Sequence, residues 1–82
     1  MKKILYFTAS WCGPCKALAP KMEKLSGQIN YSKIDVDQNS EMSAKYGVRN
    51  VPLLVLVDEQ GNELRRMVGN QPENQIISFY NG

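Results

Sequence analysis

The chain has two cysteines, Cys12 and Cys15, three apart in Ser10-Trp11-Cys12-Gly13-Pro14-Cys15-Lys16. Thiols at this spacing can cycle between dithiol and disulfide, supply part of a metal site, or sit inert in a core. A stapling role has little to support it, because a bridge closing so short a loop restrains little of the unfolded chain. A structural zinc takes four ligands. With no histidine and no second cysteine pair, only a site shared between two copies would remain. Asp35-Val36-Asp37-Gln38-Asn39 begins like a calcium loop, but Ser40 stands at the glycine position and Tyr46 at the closing glutamate. These acids read as solvated residues at a strand end, and no metal is expected.

Exchange chemistry has a positional requirement. The thiolate is the nucleophile, and a helix N-terminus favours it with free amide donors and a partial positive charge. Cys12, the more N-terminal and next to Trp11, is the expected exposed attacker. Cys15, one turn later, would reach the same sulfur. In that scheme Cys12 attacks a substrate disulfide, and Cys15 breaks the mixed disulfide to leave Cys12–Cys15 oxidised. Gly13 and Pro14 would admit another backbone closely while stiffening the turn.

The elements around the pair follow from the hydrophobic pattern. Ile4–Thr8 is a short apolar run suited to a buried strand, ending at the cysteines. From Gly13 the period turns helical through Leu18, Met22 and Leu25, with Pro14 in the first turn and Gly27 as the expected stop. Pro20 lies inside this pattern and predicts one kinked helix rather than two. Tyr31–Val36 alternates, with Ile34 and Val36 on one face and Lys33 and Asp35 on the other. Asn39 or Ser40 is expected to cap a short helix, Glu41–Tyr46, stopped by Gly47. Leu53–Val57 is apolar throughout and is expected to be central. Asp58–Asn62 turns the chain into an antiparallel strand, Glu63–Val68. Pro72 opens a last helix carrying Ile76, Ile77, Phe79 and Tyr80. The order β-α-β-α-β-β-α implies an α/β fold with a mixed four-stranded sheet, over residues 1–82 as a single domain.

Composition limits the remaining classes. At 82 residues the chain holds one modest core, and 43% hydrophobic with 22% charged residues is ordinary for a globular protein. The net charge is +2 with basic residues scattered, which argues against a nucleic-acid partner. No stretch approaches the ~20 apolar residues of a membrane span. The apolar run after Lys2-Lys3 is too short for the about 7–15 residues of a secretory signal. A cytoplasmic location is therefore expected, where a dithiol is normally catalytic or metal-binding.

Ser10-Trp11-Cys12-Gly13-Pro14-Cys15-Lys16-Ala17-Leu18-Ala19-Pro20 resembles the active-site segment of thioredoxins, and the resemblance runs on through residues 33–52 and 58–69. It implies a minimal thioredoxin fold lacking the extra N-terminal strand and helix, as in small phage or archaeal thioredoxins. It implies a protein-disulfide reductase with Cys12 as nucleophile, Cys15 as resolving thiol, and no cofactor beyond the redox-active pair. Pro52 stands where the family has a cis-proline facing the dithiol, and the Val51 backbone is expected to pair with a substrate strand. Trp11, Gly13, Pro14, Val51, Pro52, Val68 and Gly69 would line the apolar docking surface, although Val68 also fits plain strand burial. The implied partners are disulfide-containing proteins and an electron donor, either a thioredoxin reductase or a glutaredoxin/glutathione system. A monomer is the default. The alternatives are a glutathione-using, glutaredoxin-like reductant and a thioredoxin-fold binding subunit without turnover.

Three positions depart from the family pattern. Tyr6 replaces the buried aspartate six residues before the nucleophile, while its lysine partner is kept as Lys33. Thr8 replaces a tryptophan and Leu53 the threonine after the cis-proline. The family aspartate assists proton transfer at the resolving cysteine, so Tyr6 and Lys33 are tuning candidates.

Overall fold

The computed structural model describes residues 1–82. Strands β1 (Lys3–Thr8), β2 (Tyr31–Asp35), β3 (Leu53–Val57) and β4 (Glu63–Val68) form one sheet in the order β2-β1-β3-β4. β1 pairs parallel with β2 and antiparallel with β3, and β3 pairs antiparallel with β4. The two central strands are thus the two most apolar runs, buried on both faces as a central position requires. Helices α1 (Gly13–Lys24), α2 (Ser40–Lys45) and α3 (Glu73–Asn81) complete the order expected from the pattern.

Period-two alternation divides the core between the two faces of the sheet. Ile4, Tyr6, Leu54 and Leu56 point to one side, where Leu18, Met22 and Leu25 of the α1 segment and Ile76 and Phe79 of α3 close over them. Leu5, Phe7, Leu53, Val55 and Val57 point to the other, packed with Ile34, Tyr46 and the half-buried Met42 and Val48. β4 is an edge strand and largely exposed. Its Arg65 and Arg66 put charge where an open ladder would otherwise invite pairing.

Several element boundaries differ from expectation by one to a few residues. α1 ends at Lys24, not at Gly27, because Leu25 already serves as its C-cap and residues 25–28 turn the chain. Pro20 sits within the single helix, as its lost hydrogen bond is offset by the Leu18–Met22 stripe buried against the sheet. β2 stops one residue early, at Asp35, where the Asp35 side chain accepts the Asp37 amide and turns the backbone. α2 runs Ser40–Lys45, and Asn39 is its N-cap without a side-chain cap bond. The Asn39 amide side chain instead donates to the Asp35 carbonyl at 3.2 Å.

Candidate active site

β1 delivers the chain through Ala9 to Cys12, the N-cap of α1, whose extended backbone (φ −92°, ψ 114°) lets its side chain fold over the first turn. Cys12 Sγ accepts the Cys15 amide at 3.2 Å, satisfying one of the free donors of the helix start. Cys12 and Cys15 form a disulfide with Cα atoms 5.2 Å apart. No acidic residue occupies the first turn of α1. On reduction, the same amide and the helix dipole would stabilise a Cys12 thiolate.

Val51 comes to the pair from far along the chain. Its carbonyl oxygen lies 3.5 Å from Cys12 Sγ, and the Val51–Pro52 peptide bond is cis. The Val51 amide makes no hydrogen bond within the protein. The Gly69 amide donates to the Pro52 carbonyl at 2.9 Å, tying the end of β4 to this loop. Gly69 has φ +91°, a backbone conformation that side chains disfavour. On the other flank Trp11 Nε1 donates to Asp37 Oδ2 at 2.8 Å, holding an indole that is 67% exposed. The arrangement is a dithiol at a helix start, flanked by an unpaired backbone amide and an exposed aromatic ring.

The Thioredoxin family model matches residues 1–81. The chain belongs to the thioredoxin family. It is 38% identical over 82 residues to a thioredoxin of Haemophilus influenzae, an alignment covering 95% of this chain and 76% of the relative. A Staphylococcus epidermidis thioredoxin is 40% identical over 78 residues, covering 90% and 74%. Among solved structures, a point mutant of Halobacterium salinarum thioredoxin superposes with a TM-score of 0.88 at 40% identity, covering 96% of this chain and 71% of that one. Fasciola hepatica thioredoxin gives 0.85 at 36% identity, covering 96% and 80%. With its cysteines at disulfide distance, this member of the family is a thiol–disulfide oxidoreductase acting on protein disulfides.

The structure brings Cys12, Cys15 and Val51 together and departs from two expectations about the site. Cys12 is not an exposed attacker in the disulfide form, being 5% exposed against 2% for Cys15. The sulfurs pack with Ala9 and with the half-buried Val36 and Val51, so access needs the partner's backbone to come close to the loop. Pro52 does not line the surface either, for its ring is fully buried just before β3. Gly13 and Pro14 are exposed on the helix rim, and Gly69 is half-buried. Val68 is 50% exposed, because an edge strand has no layer over its outer face, so simple burial does not describe it.

Beneath the pair, Tyr6 is buried at 1% exposure and its hydroxyl donates to the Cys15 carbonyl at 3.3 Å. Burial raises its pKa above the usual tyrosine range. Lys33 stands opposite Tyr6 in the β1–β2 ladder and is itself exposed. Tyr6→Phe is expected to cost about 1 kcal/mol at neutral pH through the lost hydrogen bond. Because the folded pKa is raised, the neutral hydroxyl's contribution is full below the unfolded value of about 10 and is lost as pH rises through the folded one. The stability gap between wild type and Tyr6→Phe should therefore narrow above about pH 10 in urea titrations. A gap constant with pH would contradict this.

Asp35 and Asp37 are the residues that sequence reasoning passed over, as solvated acids of a failed calcium loop. One holds the Trp11 indole and the other lines a cleft beside Cys15. Their signal was present in the alternation that puts Asp35 on the same strand face as Lys33.

Proposed function

We propose that Cys12 is the attacking thiol and Cys15 the resolving thiol of a protein-disulfide reductase that docks extended segments against the Val51 backbone. The hydrogen bond from the Cys15 amide to Cys12 Sγ carries the assignment, since it selects one sulfur for stabilisation as thiolate. A substrate segment lying along residues 51 and 52 would use the free Val51 amide, with Trp11, Gly13, Pro14, Val51, Val68 and Gly69 forming its apolar seat and Pro52 supporting it. Attack forms a Cys12–substrate disulfide and expels one substrate thiolate. Cys15 then displaces the second, so the substrate gains two electrons and the dithiol loses them.

No helix is long and apolar enough to cross a membrane. We assign the protein to the cytoplasm, where thiols are kept reduced, acting as a monomer with a flavoprotein thioredoxin reductase as electron donor. Gly13-Pro14 and the apolar seat favour protein disulfides over glutathione. The test is turnover of a protein disulfide with thioredoxin reductase and NADPH, run beside glutathione with glutathione reductase. Turnover only in the first arm is expected. Turnover confined to the second would make the protein a glutaredoxin-like reductant, and silence in both would leave a binding subunit.

A further inference from the structure

Resolution requires Cys15 to shed a proton, yet this residue is only 2% exposed. Tyr6 is badly suited to take it. Its hydroxyl already donates to the Cys15 carbonyl, and burial keeps it neutral.

A different route opens beside the thiol. A cleft of about 330 Å³ is walled by Cys15 and Lys16 of α1, Thr8 of β1, and Lys33 and Asp35 of β2. That is ample for several waters, each of which takes ~30 Å³ in the liquid. The parallel register sets Tyr6 opposite Lys33 and Thr8 opposite Asp35, so Asp35 stands on the sheet face that α1 covers, one same-face pair nearer the dithiol than Tyr6. Asp35 Oδ1 accepts the Asp37 amide at 2.9 Å, which fixes the carboxylate. Oδ2 is engaged by no hydrogen bond or ion pair within the chain.

We propose that Asp35 accepts the Cys15 proton through water in this cleft, so that the acid serving the resolving thiol stands on β2 rather than on β1. The inference rests on the assignment of Cys15 as resolving thiol. In the step, the proton passes from Cys15 Sγ through water to the Asp35 carboxylate. The electron pair left on Sγ forms the Cys12–Cys15 bond, while the Cys12–substrate bond breaks and its pair departs on the substrate sulfur. The Asp35 proton then returns through the cleft to solvent. The other charged groups lining the cleft are Lys16 from α1 and Lys33 from β2. Asp37 in the following loop is turned to the Trp11 indole, and β1 contributes Tyr6 beside them.

Stopped-flow reaction of the reduced protein with substoichiometric dithiobis(nitrobenzoate) tests this, because the first coloured thiolate reports attack by Cys12 and the second reports resolution by Cys15. Asp35→Asn keeps the Oδ1 acceptor for the Asp37 amide, and circular dichroism checks that the fold is retained. Its second release should be slower by about tenfold near pH 6.5, where an ordinary thiol is almost wholly protonated. The deficit should shrink to less than about twofold near pH 9.5, where the thiol ionises unaided, with the first release within about twofold throughout. A second-release profile superimposing on wild type would overturn the proposal, as would the same pH-dependent deficit appearing in Tyr6→Phe instead. Wild-type protein giving no second release at any pH would overturn the attacking and resolving assignment itself.

Discussion

Cys12→Ser is expected to abolish disulfide reduction, lowering turnover by more than about 10³-fold, whereas Cys15→Ser should stop the reaction at the mixed disulfide. The asymmetry follows from geometry. Cys12 caps α1 and accepts the Cys15 amide, so on reduction its sulfur would be the one favoured as thiolate in the proposed scheme, and it lies 3.5 Å from the Val51 carbonyl at the edge of the proposed substrate seat. Cys15 is deeper and faces Cys12 within one helical turn. A serine hydroxyl at position 12 is not ionised near neutrality and cannot open a disulfide. A serine at position 15 leaves the first attack intact and removes the only internal thiol able to finish it. Mass spectrometry of the reaction with a disulfide substrate would show a stable covalent adduct for Cys15→Ser and none for Cys12→Ser. Adducts of equal yield in both variants, or turnover by Cys12→Ser, would contradict the assignment of roles.

Leu54→Ala should be the most damaging change far from the sulfurs, with a loss of about 2–5 kcal/mol. Leu54 is wholly buried in central strand β3, within the cluster that joins Ile4 and Tyr6 to Leu18, Met22 and Phe79. Neither the sheet nor α1 and α3 can collapse into the vacated space without disturbing the other layer, so a cavity term adds to the lost transfer energy. At roughly 0.05–0.15 kcal/mol per residue, a domain of this size has little stability to spare. A loss of about 3 kcal/mol would lower Tm by about 12–24 °C. Leu64→Ala makes the internal control. Leu64 is 52% exposed on edge strand β4, and its removal should stay within about 0.5 kcal/mol. Urea unfolding of both variants, with unchanged denaturant dependence, would separate them; comparable losses would mean that β4 is covered in solution.

The strands were the most legible part of the fold. Leu53–Val57 and Glu63–Val68 matched residue for residue, because an all-apolar run and a turn-rich connection leave little choice of register. Helix ends were less legible, since α1 stops where packing against the sheet stops, at Lys24, before the glycine that its pattern suggested. Asn39 shows the same limit. Its type suits a cap, but the neighbouring Asp35 carbonyl competes successfully for its side chain.

By itself the sequence determined the order of elements, the dithiol and its place at a helix start, because these follow from local periodicity and from spacing within one turn. Only the tertiary structure decided what surrounds the sulfurs. It brought Val51 to Cys12, buried Pro52, tied Trp11 to Asp37, and opened the cleft that Asp35 and Cys15 both line. Those neighbours are separated by tens of residues along the chain and meet through the parallel β1–β2 register and the antiparallel β1–β3 register. Contacts of that kind depend on how whole strands pair and pack, which no short stretch of sequence specifies.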